Sequence, residues 1–224
     1  MERVLEVCCG NMASVRAARE AGAYRVELCR DLPLDGLTPD EVAISEAVAE
    51  GGPRVNVLIR PVDGGFVYDS SMFGIMLRQI SSAASLGASG VVIGALTPEG
   101  DIDTHSCAPL VELANASGLT VTFHRAFDRC ADPRQGLRDI IAMGCDRVLT
   151  SGQAPTALDG IPLLRALNEE YGDRIIIMPG GGVNLSNART ILDETGCREI
   201  HGSCRSAGDI SDPSLIRAIM QSIE

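Results

Sequence analysis

The chain carries at residues 22–26 the stretch Gly22-Ala23-Tyr24-Arg25-Val26, in which a glycine precedes a short run that suits a β-strand. Related stretches occur three more times, at Gly87-Ala88-Ser89-Gly90-Val91, Gly144-Cys145-Asp146-Arg147-Val148 and Gly196-Cys197-Arg198-Glu199-Ile200. Each glycine suits the end of a helix, because glycine adopts the left-handed backbone conformation at little cost. The intervals between copies leave room for two strand–helix units each, which predicts four quarter-barrels.

Short apolar runs between these copies complete a set of eight strands. The predicted strands are Val4–Cys8, Arg25–Leu28, Val55–Ile59, Gly90–Ile93, Leu119–Phe123, Arg147–Thr150, Ile175–Met178 and Glu199–His201. Helical patterns lie between them, for example at Ser14–Glu20, Pro39–Glu50, Met72–Leu86, Pro133–Met143 and Leu158–Tyr171. This alternation indicates a parallel sheet with crossover helices. We predict an α/β fold, a single-domain (β/α)8 TIM barrel over residues 1–224, with an open doubly wound sheet as the alternative.

The composition argues against several classes of protein. The net charge is −11, so nucleic acid and anionic membrane surfaces are poor partners. No apolar run approaches the roughly 18 residues that a membrane span needs, and the segment Met1–Glu6 resembles the start of a strand rather than a signal peptide. All 19 cationic side chains are arginine, which excludes PLP and other Schiff-base chemistry on a lysine. We expect a cytoplasmic protein, with homo-oligomer formation left open.

The eight cysteines are expected to be free thiols, since cytosolic thiols stay reduced. The sequence has no Cys-x-x-Cys pair, so a structural zinc site of the usual spacing is not expected. Four cysteines lie in or beside predicted strands, and their thiolates would bind a soft metal such as Cu(I) if they converged: Cys8, Cys9, Cys29 and Cys204. Cys8 and Cys29 are the candidate metal ligands, and small core side chains are the alternative interpretation.

Charged residues lie within or directly after each of the first three predicted strands, although the strands of a parallel barrel are expected to be apolar. Glu6 and Glu27 lie at similar depth in strands 1 and 2, and a buried carboxylate needs a partner or a shifted pKa. They are candidate catalytic acids or bases, with purely structural pairing to arginine as the alternative. Arg60 ends strand 3 and is a candidate anion-binding residue, or else the cation that neutralises Glu6 or Glu27.

Strand 5 ends in the stretch Thr122-Phe123-His124-Arg125-Ala126-Phe127-Asp128. A histidine at the carboxyl end of a strand suits a general acid or base, and Arg125 and Asp128 follow within five residues. We predict catalytic roles for His124 and Asp128 and an anion-binding role for Arg125. A structural histidine is the alternative.

The ends of strands 6 to 8 add polar and glycine-rich segments. Because the loops after strands 7 and 8 commonly hold phosphate in this fold, glycines there favour an anion site built from backbone N–H groups. The alternative is a tight turn. The predicted ligand-binding residues of these strand ends are Thr150, Ser151, Gly180, Gly181, Gly182, His201 and Ser203.

The same segments resemble the CutC family, which is named for copper homeostasis. The matching stretches run to about Ser206 and are Glu6-Val7-Cys8-Cys9, Arg25-Val26-Glu27-Leu28-Cys29, Gly36-Leu37-Thr38-Pro39, Ile59-Arg60-Pro61, Phe66-Val67-Tyr68, Val121–Asp128, Arg147–Gly152 and Gly180–Gly182. The resemblance implies a cytosolic (β/α)8 barrel with a role in copper handling. The chain departs from the family at Val62 and Met72, where arginine and glutamate are usual.

Two hypotheses about function follow. The resemblance implies a copper-binding protein of copper homeostasis. The residues themselves favour an acid–base enzyme, a lyase or isomerase, acting on a small anionic or phosphorylated metabolite at the carboxyl ends of the strands. In that second hypothesis Glu6, Glu27 and His124 move protons, and Arg60 and Arg125 hold the anion.

Overall fold

The structure, a computed structural model, describes residues 3–224; Met1 and Glu2, the first residues of the strand-like segment Met1–Glu6 and of the predicted domain 1–224, lie outside the described residues. Eight strands alternate with eight α-helices. The strands are β1 Val4–Cys9, β2 Arg25–Leu28, β3 Arg54–Leu58, β4 Gly90–Ile93, β5 Thr120–Phe123, β6 Arg147–Thr150, β7 Ile176–Pro179 and β8 Glu199–Gly202. The helices are α1 Met12–Ala21, α2 Glu41–Glu50, α3 Ser70–Ser85, α4 Thr104–Ala116, α5 Pro133–Met143, α6 Ile161–Tyr171, α7 Ala188–Thr195 and α8 Pro213–Ile223.

All neighbouring strands pair in parallel, in the order β7-β6-β5-β4-β3-β2-β1-β8. A parallel bridge between Gly180 and His201 brings β7 to β8, so the sheet is a nearly closed barrel. The predicted (β/α)8 barrel is confirmed, and the open doubly wound sheet is wrong. Predicted strand ends differ from the observed ones by one residue at most.

The helix boundaries are set mainly by local capping. Asp40 accepts a hydrogen bond from the N–H of Ala43, so α2 begins at Glu41 and not at Pro39 as predicted. The glycines of the fourfold repeat all have positive φ, as expected for helix ends: +79° at Gly22, +86° at Gly87, +90° at Gly144 and +69° at Gly196.

Strand alternation separates two kinds of interior. Residues such as Leu5, Val7 and Val26 face the helices and form a continuous apolar layer between sheet and helices. The side chains on the opposite face point into the barrel, and many of them are polar or charged and almost fully buried: Glu6, Arg25, Glu27, Asn56, Thr122, Arg147 and Glu199. No helix within residues 3–224 has both the length and the apolar composition needed to cross a membrane.

Arg25 is the centre of this buried polar layer. Its Nε donates to Glu6 at 2.5 Å, and its Nη2 donates to Glu199. Glu199 also accepts from Arg147 at 3.1 Å, and Glu6 accepts from Asn56 at 3.3 Å. Burial by itself would raise the pKa of Glu6, but the hydrogen bond with His201 and the charge of Arg25 lower it to about 2. Glu6 is therefore ionised and fixed in place at neutral pH.

Replacing Arg25 should destabilise the barrel strongly. Arg25→Ala leaves two buried carboxylates without their shared cation, and we expect the free energy of unfolding to fall by about 3 kcal/mol or more. Because the pKa of Glu6 is lowered from 4.5 to about 2, the native protein should lose stability as the pH falls through that interval. Arg25→Ala should begin to lose stability at higher pH. Urea unfolding measured between pH 2 and pH 7 tests both expectations.

The matched control is Arg134→Ala, which removes an exposed ion pair with Glu170. That variant should unfold close to the wild type at every pH. Equal losses of stability in the two variants would contradict the role assigned to Arg25.

Candidate functional site

A cavity of about 490 Å³ opens at the carboxyl ends of the strands. This is the end of a (β/α)8 barrel at which ligands usually bind. Several of the residues predicted for the site line it: Cys8, Glu27, Arg60, His124, Arg125, Asp128, Gly181, Gly182, His201 and Ser203. Glu6, Cys29, Thr150, Ser151 and Gly180, which were also predicted for the site, are not among the lining residues.

His201 links the buried charges to the cavity. Its Nδ1 lies 2.9 Å from Oε1 of Glu6, and its Nε2 lies 3.4 Å from Oε2 of Glu27. Burial would lower the pKa of His201, but contacts with Cys8 and Glu6 and the charge of Glu27 raise it well above 6.5. The imidazole is therefore charged at neutral pH, donates a hydrogen bond to Glu6 and forms an ion pair with Glu27. The sequence assigned His201 to ligand binding only, whereas this geometry makes it part of an acid–base group.

Glu27 is the carboxyl group of this set that reaches the cavity. Burial raises its pKa, the nearby His201 charge opposes that, and the charge of Glu6 adds to it, so that the pKa is about 7. Glu6 lies deeper and is wholly buried. The two glutamates that the sequence treated alike therefore differ: Glu6 is a fixed anion that orients His201, and Glu27 exchanges a proton near neutral pH.

Cys8 completes a small group of donor atoms. Its sulfur, one oxygen of Glu27 and one nitrogen of His201 all lie within 4.8 Å of one another. Burial and a contact with Cys29 raise the pKa of the Cys8 thiol well above its ordinary value, the Cys29 contact contributing most. The predicted ligand pair Cys8 and Cys29 is therefore in contact, but Cys29 stands outside the three-residue group and packs against Leu58 and Val92.

The four cysteines singled out in the sequence do not form one thiolate cluster within residues 3–224. Strand alternation explains this, because Cys8 points into the barrel whereas Cys9 points to the helix layer. The sulfur of Cys204 lies 3.7 Å from the carbonyl oxygen of Gly202. All eight cysteines are free thiols.

Arg60 lines the cavity and makes contacts that neither of its two predicted roles included, and its anion-binding role stays a prediction. Its guanidinium donates to the carbonyl oxygens of Leu34, Gly36 and Gly64 at 2.7 to 2.9 Å. It forms no ion pair with Glu6 or Glu27, because Arg25 occupies that position. Arg60 thus ties together the loops that follow β2 and β3 and contributes positive charge to the cavity wall, while its buried Nε has no hydrogen-bond partner among the described residues.

Asp128 positions Arg125 and accepts hydrogen bonds from several neighbouring groups. Its carboxylate accepts from Nε of Arg125 at 2.7 Å, from the hydroxyl of Thr150, and from the N–H and hydroxyl of Ser151 at 3.0 to 3.1 Å. The N–H of Gln153 donates to it as well. Asp128 thus accepts hydrogen bonds on both carboxylate oxygens, and its predicted catalytic role stays a prediction. Thr150 and Ser151, predicted to bind a ligand, hold this carboxylate and are not among the residues that line the cavity.

Arg125 and the loops after β7 and β8 form the second half of the cavity. Nη2 of Arg125 donates to Ser151 at 2.9 Å, which leaves Nη1 for a ligand. Gly181 and Gly182 have φ of +102° and +72°, and a side chain on Gly181 would lie 3.2 Å from the Arg125 guanidinium. The N–H groups of Gly182 and Ser203 donate to no acceptor within residues 3–224. These donors are suited to an anion.

Sequence reasoning missed the buried cations and acids beneath the cavity. Arg25, Arg147 and Glu199 occupy the fourth position of three copies of the glycine repeat, and Gly90 occupies it in the other copy. Equivalent positions of a repeat lie at equivalent depth in the barrel, so the repeat could have predicted that these three charged residues lie in one layer. Leu32, Phe66 and Val183, which give the cavity apolar walls, come from loops and carry no such signal.

Comparisons with known proteins agree on one family. The sequence profile of the CutC family matches residues 3–206. A CutC-named family protein from Chromobacterium violaceum is 43% identical over 205 residues, covering 92% of this chain and 82% of that protein. One from Bacteroides thetaiotaomicron is 48% identical over 204 residues, covering 90% and 81%.

Solved structures give the same result. A crystal structure of CutC from Streptococcus agalactiae, whose name assigns it provisionally to copper homeostasis, superimposes with a TM-score of 0.84 at 35% identity. The superposition covers 90% of this chain and 98% of the Streptococcus agalactiae chain. Phosphoribosylanthranilate isomerase from Pyrococcus furiosus gives a TM-score of 0.65 at 12% identity over 99% of this chain and 98% of that one, which shows the shared barrel alone. The chain belongs to the CutC family.

Proposed function

We propose that this chain is an acid–base enzyme, a lyase or isomerase, that acts on a small anionic metabolite in the cavity at the carboxyl ends of the strands. The observation that carries the proposal is the row Arg25, Glu6, His201 and Glu27, which leads from a buried ion pair to a carboxyl group on the cavity wall. Buried ion pairs with a purely structural role would not require an open cavity beside the last residue of the row.

Glu27 supplies the proton-transfer group. With a pKa of about 7, it is present in both ionisation states near neutral pH, so it accepts a proton readily and returns it. The charged His201 beside it stabilises the carboxylate form and orients it, while Glu6 holds His201 from the other side. Proton removal next to a carbonyl group is the first step shared by many lyases and isomerases, and Glu27 suits this step in either class of enzyme.

The other half of the cavity supplies anion binding. Arg125 is held by Asp128 and Ser151 with one nitrogen to spare, and the N–H groups of Gly182 and Ser203 lie on loops that line the same cavity. With no lysine in the chain, arginine and backbone donors are the groups that can hold a phosphate or carboxylate. A phosphorylated metabolite suits this half. The free thiols suit a cytoplasmic location.

Phosphate, sulfate and phosphorylated metabolites should raise the melting temperature in a saturable way. A ligand at 100 times its dissociation constant stabilises the folded state by about 2.7 kcal/mol. Arg125→Gln should remove most of the shift, and Glu27→Gln should retain it because Glu27 lies in the other half. Thermal unfolding followed by fluorescence with an added dye measures this.

Arg134→Gln is the matched control, because Arg134 is paired with Glu170 outside the cavity. Gly181 is a poor site for this test, since its positive φ makes any substitution strain the backbone. If no anion in the panel shifts the melting temperature of the wild type, the phosphate part of the proposal fails.

Copper handling is the second candidate, and the group of Cys8, Glu27 and His201 favours it. One sulfur, one nitrogen and one oxygen can hold a copper ion, although Cu(I) prefers several sulfur ligands. Both Cys8 and His201 have raised pKa values and must lose protons to bind, which weakens metal binding at neutral pH. The family name supports copper homeostasis, and the donor set supports at most a weak site.

Titration with Cu(I) in the presence of glutathione should show weak, substoichiometric binding. Cys8→Ser should abolish what binding there is, whereas Cys29→Ser should retain most of it because Cys29 lies outside the donor group. Cys197→Ser is the control for loss of a buried thiol elsewhere. Tight binding of one copper ion per chain that is lost in Cys8→Ser would make copper the primary function.

A further inference from the structure

His124 has a fixed arrangement of its ring nitrogens. It lies directly after β5 and caps the 3-10 turn Arg125–Arg129, where its Nδ1 accepts a hydrogen bond from the N–H of Ala126 at 3.1 Å. A backbone N–H is always a donor, so Nδ1 of the neutral ring carries no proton. The proton of the neutral imidazole must therefore sit on Nε2.

The ring is also fixed in position. Phe66 and Phe123 pack against it with centroid distances of 5.0 and 6.0 Å. On the opposite side a Cβ on Gly94 would come within 2.5 Å of Nδ1, so this glycine makes room for the ring. His124 is only 5% exposed. The side chain thus cannot turn to exchange the roles of its two nitrogens without repacking its neighbours.

The Nε2–H group has no hydrogen-bond partner among the described residues, and it is buried from water. Buried donors without partners are rare in folded proteins, because the donor has lost its water and gained nothing. Since the ring lines the same cavity as Glu27 and His201, a ligand atom is the acceptor that this site lacks.

The ring does not carry a proton to or from a ligand near neutral pH. Burial, and after it the positive charge of Arg60, lower the pKa of His124 to about 3. Arg60 is held in place by three carbonyl oxygens, so its charge is a constant feature of this side of the cavity. The acid–base role predicted from the sequence therefore passes to Glu27.

We propose that His124 acts as a neutral hydrogen-bond donor, through Nε2–H, to a ligand oxygen that becomes negatively charged. This rests on the proposed function and narrows its substrate class to aldehydes, ketones or 2-oxo acids. Glu27 takes a proton from the carbon next to the carbonyl, and the electron pair of the broken C–H bond moves toward the carbonyl oxygen. His124 stabilises the resulting enolate oxygen and keeps its own proton throughout.

Nitrogen NMR tests the fixed tautomer on the wild-type protein. The chain has three histidines, so His105→Asn and His201→Asn assign the signals. We expect His124 to show the Nε2–H tautomer without titrating between about pH 5 and pH 9. An Nδ1–H tautomer, or a charged ring at pH 7, overturns the proposal even if variants at position 124 fail to fold.

Oxalate, a planar dianion that resembles the enolate of a 2-oxo acid, tests the donor. His124→Gln retains a neutral N–H donor that cannot shuttle protons, and His124→Phe retains a ring without a donor. By calorimetry we expect oxalate to bind the Gln variant within about threefold of the wild type and the Phe variant at least about tenfold more weakly. No binding to the wild type, or equal losses in both variants, overturns the proposal.

Arg125→Gln separates this proposal from the proposed function. Oxalate affinity that falls in Arg125→Gln but persists in His124→Phe supports the anion site and overturns the role of His124. The opposite result is a loss of oxalate affinity in His124→Phe alone, together with no shift of the melting temperature by any phosphorylated compound. That result supports the role of His124 and contradicts the phosphate part of the proposed function.

Discussion

Arg25 forms ion pairs with Glu6 and Glu199 inside the barrel, in a layer where most barrels place apolar side chains. Isolated, any one of these charges would be very costly to bury. Together they fix Glu6 as an anion, Glu6 orients His201, and His201 lies beside Glu27 at the base of the cavity. The raised pKa of Glu27 comes first from its burial, while the charge of His201 lowers the pKa and the charge of Glu6 raises it.

The cavity above this layer has two chemically different halves. On one side Glu27, His201 and Cys8 form a compact polar group that suits proton transfer and, more weakly, metal binding. On the other side Arg125 and the loops after β7 and β8 offer donors for an anion. His124 belongs to neither half by charge, because it is a neutral ring whose free N–H suits an oxygen between them. A single small metabolite with an anionic end and a carbonyl group accounts for all three features.

The fold could be predicted almost completely, because strand–helix alternation and helix-ending glycines are local signals. The convergence of the residues at strand ends could also be predicted, because the carboxyl ends of the strands of such a barrel meet at one end, and most of these residues line the cavity. What the sequence could not specify was the set of contacts that each one makes. Whether Arg60 faces a ligand or three carbonyl oxygens, and whether Asp128 is free or holds Arg125, depends on loop paths that local patterns do not encode. The buried positions of Arg25 and Arg147 could have been predicted from the glycine repeat, because both residues occupy its fourth position.

The central claim is that Glu27, buried at the base of the cavity beside His201 and Glu6, has a proton affinity suited to catalysis at neutral pH. Carbon NMR of protein labelled at the glutamate side-chain carboxyl measures this directly, with Glu27→Gln to assign the signal and exposed Glu112 as the internal reference. The account predicts that the Glu27 carboxyl titrates with a midpoint of about 7, well above the ordinary 4.5. A midpoint for Glu27 at or below 4.5 would contradict the account.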